Sequence, residues 1–598
     1  MPEYLAPGVY VEETSFRAKS IEGVGTSTTA FVGPTSRGPL ASASKDADGN
    51  PPPPPELLTS FGDFVRLYGG VEDLNLGGKV VPNYLALGVL GFFNEGGARL
   101  YVARTGKDAK TAKLKLGKDG DTEKRVLIEA RTPGSGGKVK VTIQESVFTL
   151  NATARSQAKA GTLGRVARDS GDVKAGLYSK KEDKAESDWV DGDAKLDFEK
   201  LKATGQLLDG VAVSISVDAP GGAQNLYEAV SLDSASERYL DKLLPKRPAR
   251  RADQVSALVW VKTENAPTPR ELHALLFQTD GKKAVTVAHK LTDDGVDGSE
   301  PEVGDPTTEG SYAAALEQLR GLEDVSIVAA PGHTALDSAR AEAISKALIA
   351  HAEQPRAYRI AVLDTPSRSL PSEAREFRSR MDSTHAALYY PWVTVANPLA
   401  RPSGEGVANE INIPPSALMC GIYARNDVEK DVSKSPANEV VRSALRFESD
   451  VNFAQNQLLN PLGVNCLRFF PGRGYRVWGA RTASSDPEWK YVNVRRYFLY
   501  LEASIDRGTQ WAVFENNGPR LWQNIRETIE DFLYNEWVSN RLLGETPKQA
   551  YFVRCDRSTM TQNDLDNGRL ICLIGVAALK PAEFVIFRIG QKTADARS

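Results

Sequence analysis

Sulfur is scarce in this chain of 598 residues, which holds four cysteines and four methionines. Cys420, Cys466, Cys555 and Cys572 are scattered without metal-ligand spacing and are expected as reduced thiols of a cytoplasmic product. Histidine is equally rare, and His273, His289, His333, His351 and His385 do not cluster. No metal and no cofactor is therefore expected. No apolar run approaches the roughly 20 residues that cross a bilayer, which excludes direct membrane insertion by a helix. Neither sign of charge dominates: the net charge is −3, so no global field draws the chain to nucleic acid or an acidic membrane. Met1-Pro2-Glu3-Tyr4 opens no basic segment followed by an apolar core, so no signal peptide is expected. What is present is ordinary for a globular protein, with 41% hydrophobic and 25% charged residues over a length that suits several domains.

The last quarter carries the clearest pattern. Asn517-Gly518 ends an extended run, and Pro519 suits a first helical position because it has no N–H to lose there. Leu521, Trp522, Ile525, Ile529, Phe532, Leu533 and Trp537 then recur at helical spacing, and Gly544 suits the left-handed residue that closes a helix over 519–543. The other face carries Arg520, Arg526, Glu527, Glu530, Asp531, Asn535 and Arg541. Three strands are expected next, at 550–555, 569–579 and 583–589, with Asn567-Gly568 as a tight turn. They are apolar on both faces, and such strands call for cover on both sides.

Residues 1–40 are extended, with a short alternating strand at Val9 to Glu13. Gly23-Val24-Gly25 before Ser and Thr has the look of a phosphate cradle but lacks its Lys, so a turn or bulge is the expectation. Pro51 to Pro55 is a polyproline loop, and 82–95 is a helix stopped by Gly96-Gly97 before a strand at 99–104. Residues 106–238 alternate short strands with lysine- and aspartate-rich patches, which reads as an inserted, mostly β domain with solvated loops. From 255 to 395 strand and helix alternate, which argues for a parallel sheet covered by helices; Val255–Val261, Ala284–Ala288, Val325–Ala329 and Tyr358–Leu363 are its expected strands. Ligands of such sheets sit beyond the carboxyl ends of the strands, where Gly332, His333 and Asp364 fall. An α/β enzyme acting on a nucleotide or sugar is the alternative reading there, with Asp364 as base or metal ligand and His333 as its partner. It lacks GxGxxG, a nucleophile elbow and a second carboxylate, and Asp-Thr-Pro is an ordinary way to leave a strand.

A series of phrases then runs in a telling order. They are Pro7-Gly8-Val9-Tyr10-Val11-Glu12-Glu13, Ala30-Phe31-Val32-Gly33, Phe92-Phe93-Asn94-Glu95-Gly96-Gly97 with Tyr101-Val102, and Ala329-Ala330-Pro331-Gly332. Pro414-Pro415-Ser416, Gly421 to Asp427, Ser435-Pro436-Ala437-Asn438-Glu439, Asn460 to Asn465 and Gly479-Ala480-Arg481-Thr482 follow. Arg495-Arg496 and Pro581 to Ile589 close the series. Over nearly the whole chain outside 106–238, this order resembles the contractile tail sheath family of phage tails and phage-like injection systems. One departure is 428–435, longer and more charged than the family's aromatic-and-glycine lead into Pro-Ala-Asn.

The resemblance implies a structural polymer rather than an enzyme: six-fold rings in a helical array around an inner tube, capped and seated on a baseplate. Contraction of a higher-energy extended state would drive the tube through a target envelope. The implied fold is α/β and α+β, multidomain, with a sheath core domain built from both chain ends. The expected divisions are an N-terminal arm and start of core at 1–40, a first α/β part at 41–105, the β insert at 106–238, and the α/β sheath domain at 239–395. The C-terminal core, with the helix 519–543, is expected at 396–580, and a C-terminal arm at 581–598. Strand donation between subunits is expected from Tyr10, Val11, Glu12 and Glu13 and from Phe584, Val585, Ile586, Phe587, Arg588 and Ile589. Contact with the inner tube is expected from Arg526, Glu527, Glu530 and Asp531. The expected setting is synthesis in the cytoplasm and incorporation into a phage tail or phage-like particle.

Overall fold

The computed structural model describes residues 20–586 except 43–52, 119, 121–122, 182–187, 192–193, 235, 279–284 and 402–405. Its centre is a sheet of strands β1 (Thr29–Pro34), β2 (Leu100–Thr105), β3 (Ile327–Ala329), β4 (Ile360–Asp364), β5 (Ala386–Tyr390), β6 (Val464–Phe470) and β7 (Gly474–Val477). Their spatial order is β7-β6-β5-β4-β3-β1-β2. All neighbours run parallel except β6 and β7, which form an antiparallel edge pair. The strands are apolar on both faces because both faces are covered. Phe31, Val102, Ile327, Val362 and Tyr389 face helices α1 (Tyr84–Asn94) and α3 (Pro415–Glu429). Ala30, Val32, Val328, Leu363 and Leu388 face the opposite layer, which includes helix α2 (Ser338–Ala352). Strand–helix alternation thus reads correctly over 325–395, and the first 105 residues add two strands to the same sheet.

Two expected strands belong elsewhere. Val259–Glu264 pairs antiparallel with Arg125–Ala130, and Thr286–Lys290 pairs antiparallel with Lys140–Thr149. They complete a four-stranded and an eight-stranded sheet otherwise built from 110–230 and 293–296, so the β-rich region runs on past residue 238 to 296. A short apolar run shows that a strand forms, not which sheet takes it. The core of this region, from Val141 and Ile143 to Leu272 and Leu276, is separate from both layers of the parallel sheet.

The C-terminal part holds helices α4 (Val492–Gly508) and α5 (Pro519–Val538), with β8 (Tyr551–Arg554) paired antiparallel to β9 (Leu573–Val576). Pro519 occupies the first turn of α5, and the Trp522 indole donates to Asn517 Oδ1 (2.7 Å) to fix the entry. The helix stops at Val538, short of 543. Asn540, at φ 56°, takes the left-handed position, which turns Leu542 into the core. Nor do the strands have cover on both sides. β8 and β9 pair only with each other among the described residues, and Phe552 and Leu573 are half-exposed. Asn567-Gly568 ends the helix Gln562–Asp566 inside a longer connection instead of forming the hairpin turn.

Candidate functional site: the arms, the hairpin and the long helix

Two chain ends converge on α4. On one side Val24 N–H donates to Ser504 Oγ (3.1 Å), and Ile21 lies against Gly508. Gly23 passes so close to Tyr500 that a Cβ there would sit 2.2 Å from the phenol oxygen. Thr26 Oγ1 donates to Asp427 (2.6 Å), and the Arg496 guanidinium donates both to that carboxylate (2.6 Å) and to Thr26 O (3.0 Å). The glycine-rich run therefore faces a carboxylate, which suits a structural root and not a phosphate cradle. On the other side Glu583 is the root of the C-terminal arm. It accepts from Arg481 (2.7 and 2.9 Å), Asn460 (2.7 Å) and the Tyr491 hydroxyl (3.0 Å). These partners hold its carboxyl below the usual range against the opposing effect of burial. With 17 residues, α4 is about 25 Å long, so it sets the spacing of the two roots.

From Phe584 to Ile586 the chain leaves the fold. Phe584, Val585 and Ile586 are 72%, 68% and 78% exposed and belong to no strand. The expected strand over 583–589 is thus unpaired as far as Ile586, since a strand needs a partner ladder to hold it. Phe587, Arg588 and Ile589 lie outside the described residues, as do Tyr10, Val11, Glu12 and Glu13. Apart from the bridge of Leu542 to Ala578 just past β9, the pair β8–β9 has no third strand among the described residues, and its edges are a template for added strands.

Helix α5 buries Leu521, Trp522, Ile525, Ile529, Phe532 and Leu533 against α4 and the hairpin. Each such side chain contributes about 1.5–3 kcal/mol as an upper estimate. Glu527 and Asp531 are exposed, while Arg526 and Glu530 are half-buried on the same side. The pattern gave no sign of Glu536, which is buried. It accepts from the hydroxyls of Tyr497 and Tyr500 (3.0 Å each) and from Arg541 (2.9 Å), and so ties α5 to α4. These hydroxyls come from a helix one element away, which no local periodicity reports.

The alternative site dissolves into structural contacts. His333 Nδ1 bonds Ala330 O (2.6 Å), and Nε2 lies 2.9 Å from the Ser345 hydroxyl, which also donates to Ala341 O (2.9 Å). Burial lowers this ring to about 4. Asp364 does not serve its own turn. It caps α3, accepting from Ser416 N–H and Oγ (2.6 Å each), while burial raises it to about 7. No hydrogen bond joins His333 to Asp364 among the described residues. Gly332 sits at φ 91° with Tyr84 packed against it.

Residues 305–483 match the family model of the phage tail sheath protein central domain, and 484–592 that of the phage tail sheath C-terminal domain. A putative prophage major tail sheath protein of Pseudomonas aeruginosa (strain UCBPP-PA14) is 27% identical over 313 residues, 49% of this chain and 75% of that one. A chain in the cryo-EM structure of the anti-feeding prophage baseplate, 6-fold symmetrised, is 33% identical over 47% of this chain and 73% of its own, with a TM-score of 0.40. The sheath complex of PVC, an extracellular contractile injection system, in its contracted state covers 99% of both chains at 19% identity and a TM-score of 0.50, a likeness of fold. This chain belongs to the contractile tail sheath family of phage tails and phage-like injection systems.

Proposed function

We propose that this sheath subunit is made in the cytoplasm and polymerises as helical six-fold rings around an inner tube, between a baseplate and a terminal cap. Shortening of that polymer drives the tube through a target envelope. The observation that carries the reading is the pairing of an unsatisfied arm with an unsatisfied hairpin. Phe584–Ile586 leaves the molecule apolar and unpaired, and β8–β9 offers edges with Phe552 and Leu573 half-exposed. Main-chain hydrogen bonds to a neighbour's hairpin hold firmly while an extended arm absorbs rotation. The N-terminal segment Tyr10–Glu13 is the second donor. Anchored by Glu583 beside the start of α4 and by Ile21 at its end, the arms would keep subunits joined through contraction.

The division of labour follows the sheets. The parallel sheet and the C-terminal helices form the polymer, and the β-rich insert is displayed outwards. The exposed carboxylates on α5 face the tube. Electron microscopy of the expressed protein tests the reading: helical tubes are expected, and soluble monomers alone at high concentration would overturn it.

A further inference from the structure

The hairpin carries a feature that strand donation does not use. Its ladder pairs Tyr551 with Val576 and ends with Arg554 opposite Leu573. One step further along the same register stand Cys555 and Cys572, face to face. Their thiols are near enough to shift each other's titration in opposite directions. Residues opposed on an antiparallel pair have Cβ atoms about 4.5–5.5 Å apart, close to the span a disulfide bridges. Both ends of the ladder are already closed: beside the cysteines Thr559 Oγ1 donates to Ile571 O (2.7 Å), and at the other end Ala577 N–H donates to Ala550 O (2.8 Å).

The two thiols differ in access. Cys555 is buried and Cys572 is half-exposed. The hydrogen bond from Cys572, and then the positive charge of Arg526 on α5, favour the Cys555 thiolate over its burial. Cys572 is pushed up in turn, because the pair readily holds one negative charge and resists a second. Cys420 and Cys466 are buried, and burial holds both thiols high. Reactivity is therefore confined to the hairpin pair.

We propose that Cys555 and Cys572 form a reversible redox staple at the loop end of the hairpin, across the neck of the 556–571 connection. It is open in a thiol-rich compartment and closed once the protein meets a small disulfide oxidant such as oxidised glutathione. Proton transfer from Cys572 to Cys555 moves the pair's single negative charge onto the accessible sulfur, and the Cys572 thiolate attacks one sulfur of the oxidant and releases one glutathione thiolate, which gives a mixed disulfide. Cys555 then attacks the Cys572 sulfur, forms the S–S bond and expels the second glutathione thiolate. The two protons lost by the protein end on the two released thiols, and the oxidant takes up two electrons. The inference does not depend on strand donation, because the reaction needs only the folded subunit.

The test uses purified full-length protein equilibrated in glutathione buffers of increasing oxidised fraction, then acid-quenched, alkylated and weighed intact. The expected result is loss of two hydrogens per chain, with peptides bearing Cys555 and Cys572 joined and full reversal by dithiothreitol. Cys420 and Cys466 should take alkylating reagent only after unfolding. The oxidised form should also resist proteolysis between Asp556 and Ile571, a difference that Cys572→Ser abolishes. Three outcomes would overturn the staple: glutathione retained on Cys572, cross-links between chains, or free Cys555 and Cys572 in the most oxidising buffer. All three are read by mass on the unsubstituted protein, so a folding defect in the variant cannot imitate them.

Discussion

Charged side chains here are buried where they join distant segments. Glu95 is fully buried and accepts from the Arg425 guanidinium (3.0 Å) and from the backbone N–H groups of Arg442 and Ser443 (3.1 and 2.7 Å). Removing one partner of a buried pair strands the other, so Glu95→Ala should cost about 3–5 kcal/mol in denaturant unfolding of the monomer. A loss under about 1 kcal/mol would mean that water or a rearrangement satisfies Arg425. Titration gives a second expectation. Burial lowers His333, His351 and His385 to about 4, 3 and 4. An unfolded chain protonates them near their ordinary 6.5, so it takes up protons that the folded chain refuses, and stability falls as pH drops from 6.5 towards 4. Asp364 works the opposite way: raised to about 7, it binds its proton first in the folded state and adds stability as pH falls. With about 1.4 kcal/mol per unit, His333 alone accounts for roughly 3 kcal/mol at the limit. Urea midpoints against pH should show a shallower acid fall in His333→Asn and a steeper one in Asp364→Asn.

Among the elements, the C-terminal arm divides at Glu583. Glu583 is tied into the fold, whereas Phe584–Ile586 are exposed and belong to no strand. A chain ending after Glu583 should keep the monomer's thermal midpoint and lose polymerisation, whereas one ending after Lys580 should also lose stability. The second truncation strips Arg481, Tyr491 and Asn460 of their shared acceptor. Polymers of normal length from the first truncation would exclude donation by this arm. The same boundary shows what local pattern can carry. The apolar repeat of α5 and the alanine-rich strands of the parallel sheet were legible because burial on one or both faces imposes a period. The period over 583–589 signalled a strand, but a strand's partner is not written beside it. The expected strand Val255–Val261 went astray in the same way: a strand forms at Val259–Glu264 but in another sheet, and Val255 and Ser256 end a helix. Glu536 and Asp364 were illegible as ties between elements, because the donors that join them to another element, Tyr497, Tyr500 and Ser416, lie 36 or more positions away. The phrases that carried the resemblance are better explained now: Glu95 meets Arg425, Asp427 meets Arg496, and Arg481 meets Glu583, phrase to phrase.

At the scale of the particle, the proposed sheath would have to hold an inner tube and then release it. Exposed charges suit this, since a wet ion pair is worth roughly 0–1 kcal/mol and a ring multiplies it over many copies. Glu527 and Asp531 are one helical turn apart on α5, exposed, and in no ion pair with another side chain among those described. Glu527→Lys with Asp531→Lys should leave the monomer's thermal midpoint within about a degree, because surface substitutions away from packed features move stability little. Co-sedimentation with purified tube should fall severalfold at low salt, while sheath-only polymers keep forming. The unsubstituted protein should lose the same binding as salt rises, because exposed pairs are screened beyond about 10 Å at 0.1 M. Tube binding indifferent to both salt and charge reversal would place the contact on another surface.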